Sequence, residues 1–303
     1  MRPMDVTVDL ARLRVTMVNV YLYGRPGAGD RGWVLIDAGL PGSAGMIEGA
    51  AAARFGVGAR PAAIVLTHGH FDHIGALKSL AERWDVPVFA HRLELPYLTG
   101  RSSYPPPEPL VGGGVMALLS PLYPRGPIDL GNRVEALPED GSVPGMAEWR
   151  WVFTPGHSPG HVSLFRDSDR TLIAGDAFCT QKQESLLAVV TERPEIHGPP
   201  AYFTMDWSAA RRSVERLAEL EPEIAATGHG RPLRGPAMRA ALEELARRFG
   251  TLAVPRQGRY VRAPAVAGPA GVTSVPRPAV PRGVLWGLAA AVVAGAVLAK
   301  RRG

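Results

Sequence analysis

Three imidazoles and a carboxylate fall within six residues of the run Thr67-His68-Gly69-His70-Phe71-Asp72-His73-Ile74-Gly75. They follow Ala62-Ala63-Ile64-Val65-Leu66, an apolar stretch with branched side chains and turn residues around it, which predicts a buried strand. The cluster therefore stands at the C-terminal end of that strand, where the backbone turns towards a helix. Neutral imidazole and carboxylate together suit zinc, iron or manganese. An extended or tightly turned segment can aim His68 and His70 at one ion, while Asp72 and His73 continue the turn and can face a second ion beside the first. The bland alternative is a solvated histidine-rich loop, and the density and order of ligand types argue against it.

Other turns carry the same residue types. Glu148 to Phe153 alternates like a strand and runs into Thr154-Pro155-Gly156-His157-Ser158-Pro159-Gly160-His161, where Pro and Gly enforce a sharp turn that can point His157 inward. Glu223 to Thr227 reads as a last core strand, and the glycines on either side of His229 permit close backbone approach to an ion. Two apolar strands end on carboxylates, Asp37 and Asp176, which would be costly if left unpaired. Each has a cap reading as its alternative, Asp37 for a helix near 43–55 and Asp176 for the segment after it. His91, alone at the end of the strand over 86–91, reads more readily as structural, and Cys179 as a small buried hydrophobe.

The order His-x-His-x-Asp-His, completed by His157, Asp176 and His229, resembles the metallo-β-lactamase superfamily, and within it the glyoxalase II-like hydrolases. The resemblance implies two divalent ions, zinc before iron or manganese. His68, His70 and His157 would hold one, Asp72, His73 and His229 the other, and Asp176 would bridge them. It places Asp37 and His161 close to the ions without making them ligands. It implies a four-layer αββα sandwich over residues 1–250, where periodicity alone gives only mixed α and β. The activity implied is metallo-hydrolysis: a hydroxide shared by the two ions attacks a small-molecule ester, thioester or lactone, and Asp72 orients the nucleophile. No Gly-x-Ser-x-Gly motif suggests a serine nucleophile instead. Zinc β-lactamases commonly carry Cys, or lack the bridging Asp, where this chain has Asp176, which argues against an antibiotic substrate. The alternatives are a mononuclear-iron persulfide dioxygenase and, more distantly, a phosphodiesterase acting on RNA or nucleotides, although no RNA-gripping arm is apparent.

The elements that position these residues leave room for one full-sized core, since the chain has 303 residues, 46% hydrophobic and 20% charged. Helical spacing recurs over 74–84, 206–220 with Asp206 as N-cap, and 236–249, with one short helix at 115–120. Residues 95–145 shift towards Pro and Gly and read as a substrate-facing lid, with Tyr97 and Tyr104 as candidate contacts. The formal charge of +6 comes from dispersed arginines without interleaved aromatics, so no nucleic-acid partner is expected. The single cysteine excludes an intrachain disulfide framework, and no secretory signal is visible at the start.

Residues 251–282 are rich in Pro, Ala, Val and Arg and read as an extended basic linker. The uncharged stretch from Gly283 to Ala299, ahead of Lys300-Arg301-Arg302, reaches the lower length limit of a membrane span and is expected to be a C-terminal anchor over 283–303. The linker arginines favour a cytoplasmic catalytic domain, while the basic end opposes that orientation. Gly283, Gly287, Ala291, Gly295 and Ala299 form a small-residue ridge that could pair two anchors into a homodimer.

Overall fold

The protein is described by a computed structural model over residues 3–278. Its first sheet runs β1 (Met4–Asp5), β2 (Leu10–Val15), β3 (Val18–Tyr23), β4 (Val34–Ile36), β5 (Ala63–Val65), β6 (Val88–Ala90) and β7 (Val134–Ala136), in that spatial order. The strands from β1 to β4 pair antiparallel and those from β4 to β7 parallel. Parallel pairing brings the C-terminal ends of β4 and β5 to one edge, so Asp37 and the histidine cluster become neighbours. The second sheet has the order β12 (Leu233–Arg234), β11 (Ile224–Thr227), β10 (Thr171–Gly175), β9 (Val162–Arg166) and β8 (Trp149–Phe153). Within it only β10 and β11 are parallel, which sets Asp176 beside the Gly228-His229 turn.

Three apolar clusters define the layers. Between the sheets Leu10, Tyr21, Ile36 and Val65 meet Trp149, Leu164, Ile173 and Ala226. On the outer face of the first sheet, Leu13, Leu22 and Leu35 pack against α1 (Ala44–Phe55) and α3 (Leu77–Trp84), the latter following the short α2 (Phe71–Ile74). On the outer face of the second, Phe165, Leu172 and Ala225 pack against α7 (Trp207–Glu219) and α8 (Pro236–Arg247). This is the αββα sandwich expected. Smaller helices, α4 (Leu95–Leu98), α5 (Val115–Leu119) and α6 (Leu186–Thr191), sit in the connections. Asp206 caps α7 as expected, accepting from the Ala209 N–H at 2.9 Å. Gly75 lets α2 and α3 lie against the β4 turn, because a Cβ there would stand 2.1 Å from the Pro41 nitrogen.

The segment expected as an extended linker is different over 251–278. It carries α9 (Phe249–Leu252), α10 (Arg259–Arg262) and a hairpin of β13 (Val266–Gly268) with β14 (Gly271–Ser274). Buried Arg259 pairs with Glu108, the Tyr260 hydroxyl donates to the Pro106 carbonyl at 2.5 Å, and the Val272 N–H donates to Ser102 Oγ at 3.1 Å. The Pro-rich composition signals an extended chain only while no partner is in reach. Here the buried Glu108 carboxylate and the 102–108 backbone supply one. The anchor expected over 283–303, and the pairing ridge within it, lie outside the described residues. Among the described residues no helix is long and apolar enough to cross a membrane.

A buried charge cluster ties the first sheet to the second beside the His229 turn. Arg12 donates to Asn19 Oδ1 at 2.6 Å and pairs with Glu192, which also faces Arg14 at 3.3 Å and Arg231 at 3.2 Å. Asn19 in turn donates to the carbonyls of Thr227 at 2.8 Å and Gly230 at 2.7 Å. Burial works against the Glu192 carboxylate, but the guanidinium groups outweigh it and hold its pKa below the usual glutamate value. A depressed carboxylate contributes stability above its unfolded pKa, and the contribution disappears as pH falls through the folded one. Glu192→Gln is therefore expected to cost about 2 kcal/mol at neutral pH. Urea unfolding at stepped pH should show the gap from wild type closing in acid, and a gap independent of pH would refute the assignment.

Candidate metal centre

Each side chain of the cluster is delivered by a different piece of local structure. His68 stands three residues past the end of β5, His70 is the extended residue before α2, and Asp72 and His73 lie in its single turn. His157 comes from the turn after β8, Asp176 from the end of β10 and His229 from the end of β11. The structure brings all seven together as three buried groups: His68, His70 and His157; His68, His73 and Asp176; and Asp72, His73 and His229. Within each group the donor atoms lie within 4.8 Å of one another. Asp176 stands centrally, its Oδ2 3.1 Å from His229 Nε2, 3.4 Å from His157 Nε2 and 3.6 Å from His73 Nε2. Asp72 Oδ2 is 3.5 Å from His229 Nε2.

Two of the rings are fixed from behind by a second partner. His73 Nδ1 meets Asp37 Oδ2 at 2.8 Å, and His229 Nδ1 meets the Met17 carbonyl at 2.8 Å, so both Nε2 atoms turn to the cluster. Asp37 also accepts from the Thr67 N–H and hydroxyl, each at 2.8 Å, and does not cap α1. His161 Nε2 accepts from the Asp176 N–H at 2.9 Å and its Nδ1 lies 2.9 Å from Thr154 Oγ1, so it holds the aspartate backbone from behind.

The donor set fits divalent cations. His68 Nε2, His73 Nε2 and Asp176 Oδ1 are buried without a hydrogen-bond partner among the described residues, an expensive arrangement for polar atoms that face only each other. Burial keeps His68 and His157 well below the usual histidine pKa and pushes His70 down to about 3, leaving their lone pairs free. Burial opposes charge on His73 and His229 as well, yet the Asp176 carboxylate prevails and raises both, while burial raises Asp72. Asp176 is held well below the usual carboxylate range, since His229 and His73 overcome its desolvation. Cations at this place would replace the protons that the pairs otherwise share.

Of the remaining sequence candidates, His91 and Cys179 take no part in the cluster, whereas Tyr104 borders it. His91 stacks on Phe153, ring centroids 4.5 Å apart, and has no partner in the cluster. Buried Cys179 has its thiol pKa pushed well up, by burial first, so it is protonated and inert. Tyr97 and Tyr104 are buried and stacked at 3.9 Å, with Tyr104 against the His70 ring at 4.4 Å and its hydroxyl engaged by Glu94. Glu94, which no sequence pattern marks, is fully buried and links the two histidine loops. It accepts from the Gly69 N–H at 3.0 Å, Ser158 Oγ at 2.8 Å and the Gly160 N–H at 2.7 Å. The glycines beside His229 stand where a side chain would not fit. A Cβ at Gly228 would stand 2.1 Å from Asp176 Oδ1, and one at Gly230 2.5 Å from Thr180 Oγ1. At Gly228 the space is taken by the proposed ligands Asp176 and His73, and at Gly230 by Thr180 and the Gln181 backbone nitrogen.

Fold and site together define a class of proteins with a buried histidine and aspartate cluster suited to divalent metal, and the family model described as the metallo-beta-lactamase superfamily matches residues 13–229. The chain belongs to that superfamily. It is 52% identical over 240 residues to the probable metallo-hydrolase YflN of Bacillus subtilis (strain 168), covering 79% of this chain and 90% of the relative. The probable metallo-hydrolase YybB of the same organism is 34% identical over 170 residues, 56% of this chain and 64% of that protein. Among solved structures, a beta-lactamase domain protein from Burkholderia ambifaria superposes with a TM-score of 0.56 at 20% identity, covering 80% of this chain and 71% of that one, a likeness of fold.

Proposed function

We propose that the protein is a metal-dependent hydrolase of small-molecule esters, thioesters or lactones, of the glyoxalase II-like kind. The observation that carries the reading is the convergence of seven buried donors, from loops distant in the chain, with Asp176 between two triads. The similarity to two relatives named as probable metallo-hydrolases supports it. His68, His70 and His157 would hold one ion and Asp72, His73 and His229 the other, with the Asp176 carboxylate, whose Oδ2 lies near His157, His73 and His229, available to both. Such a pair of ions, zinc by the nitrogen-rich donor set, acidifies water and polarises a carbonyl. The protein's own contribution is positional. Asp37 and the Met17 carbonyl fix the tautomers of His73 and His229, and Asp72, 3.5 Å from His229, would orient the attacking water. In the hydrolysis the hydroxyl of water bonds to the acyl carbon, the ester C–O or thioester C–S bond breaks, and the second proton of water goes to the alcohol or thiol so released.

The test is metal analysis of the purified chain, followed by a panel of thioesters, lactones and phosphodiesters with oxygen uptake recorded in parallel. Two ions per chain and metal-dependent turnover of an acyl substrate are expected. One iron with oxygen consumption on a persulfide would instead establish the dioxygenase alternative.

A further inference from the structure

Aromatic rings run outward from the metal cluster without a break. Phe203 stacks on His70 with centroids 4.8 Å apart and planes at 26°. Phe71, set between His70 and Asp72 in the chain, meets Phe203 edge-on at 6.3 Å. Tyr123 lies 5.2 Å from Phe71 and 6.1 Å from Phe203. Phe71 and Tyr123 are only half-buried, so their outer faces are accessible. The Tyr123 hydroxyl is spent on the Met116 carbonyl at 3.0 Å, which leaves the ring as the surface it presents. The helix that carries Met116, α5, and the turn after it expose further apolar side chains, Val115, Leu118 and Leu122 at 43%, 36% and 56%. Phe203 is itself buried at 8% exposure, so the accessible part of this apolar tract begins at the outer faces of Phe71 and Tyr123, and such surface usually serves an occupant. The inner end of this tract abuts a proposed ligand of the reacting ion, so the occupant that fits is the substrate itself, not a protein partner.

We propose that Phe203, Phe71 and Tyr123 form the wall that receives the acyl part of the substrate, and that this part is an uncharged hydrocarbon chain and not a small polar or anionic group. The proposal rests on the hydrolytic reading above and deepens it. Every methylene that the wall removes from water should raise kcat/KM by up to about fourfold until the tract is filled. The gain should come through KM with kcat level, as for binding that is equal in ground and transition states.

The experiment uses the full chain loaded with zinc and a series of p-nitrophenyl esters and matching thioesters, from acetyl to octanoyl, with succinyl as the anionic member. Wild type should prefer octanoyl over acetyl by a factor of ten or more and should disfavour succinyl. Tyr123→Ala, which lies away from the metal loops, should cut the octanoyl-to-acetyl ratio about tenfold with metal content retained. Phe71→Leu, which keeps an apolar side chain beside His70, should reduce it less. A flat series in wild type, a preference for succinyl, or a ratio unchanged in Tyr123→Ala would each overturn the wall and leave hydrolysis standing. Turnover of no ester or thioester at any length would bring down the hydrolytic reading and this proposal with it.

Discussion

Asp176→Asn is expected to lower turnover by far more than the roughly 10–100-fold that outer partners of metal ligands are worth. The side chain keeps its size and one acceptor, so the fold should persist, yet the site loses its central negative charge. Asp176 Oδ2 lies 3.1–3.6 Å from the Nε2 atoms of His229, His157 and His73, contacts that span both proposed ion positions. An amide would set either a neutral oxygen or an NH2 group against those positions, and the NH2 cannot coordinate a cation. Metal analysis should then find both ions weakened. His70→Ala makes the comparison sharp, because it strips only the group formed with His68 and His157. That variant should keep about one ion, on Asp72, His73 and His229, and should be equally inactive if both ions are needed. Near-normal turnover with two ions in Asp176→Asn would remove the aspartate from the centre of the mechanism.

The contrast between the site and its surroundings shows what a sequence can carry. The run from His68 to His73 is local, so spacing alone places its side chains at the end of β5. Asp37 and Asp176 betray themselves as charges that end apolar strands, a pattern with a cost that must be met. Parallel pairing of β4 with β5 and of β10 with β11 then turns these separate strand ends into neighbours. That step needs the fold, which the family resemblance supplies and periodicity does not. The strand β7 is hidden in a stretch rich in Pro and Gly, since three residues at a sheet edge leave too short an alternation to read. The tail over 251–278 reads wrongly as a linker because its anchoring partners, Glu108, Pro106 and Ser102, stand some 150 residues or more away in the chain. Phe71 and Tyr123 carry no spacing signal at all, and their continuity with His70 exists only in three dimensions.

Glu94 is the strongest case of a function written in no motif, and its removal is expected to damage both metal loops at once. Its Oε2 takes the Gly69 N–H and the Tyr104 hydroxyl, and its Oε1 takes the Gly160 N–H and Ser158 Oγ. Gly69 separates His68 from His70, while Ser158 and Gly160 fall between His157 and His161, so one carboxylate sets the distance between the two loops. Both glycines are required for its approach: a Cβ at Gly69 would come 2.6 Å from the Tyr104 hydroxyl, and one at Gly160 2.8 Å from Glu94 Cγ. Burial raises the Glu94 pKa even though four donors act to lower it, and no cation appears among its partners. Hydrogen bonds must therefore do what an ion pair would do elsewhere. Glu94→Ala leaves four buried donors without their acceptor and should cost on the order of 3 kcal/mol or more in unfolding free energy. Glu94→Gln keeps the shape but turns an NH2 group towards two of those donors, so it should recover little. Tyr104→Phe removes one donor only and should be mild. A residue that merely filled space would move stability alone, whereas a positioning residue should also weaken metal binding by about 10–100-fold, measured by competition with a chromophoric chelator. Glu94→Gln with wild-type metal affinity would reduce this carboxylate to a packing role.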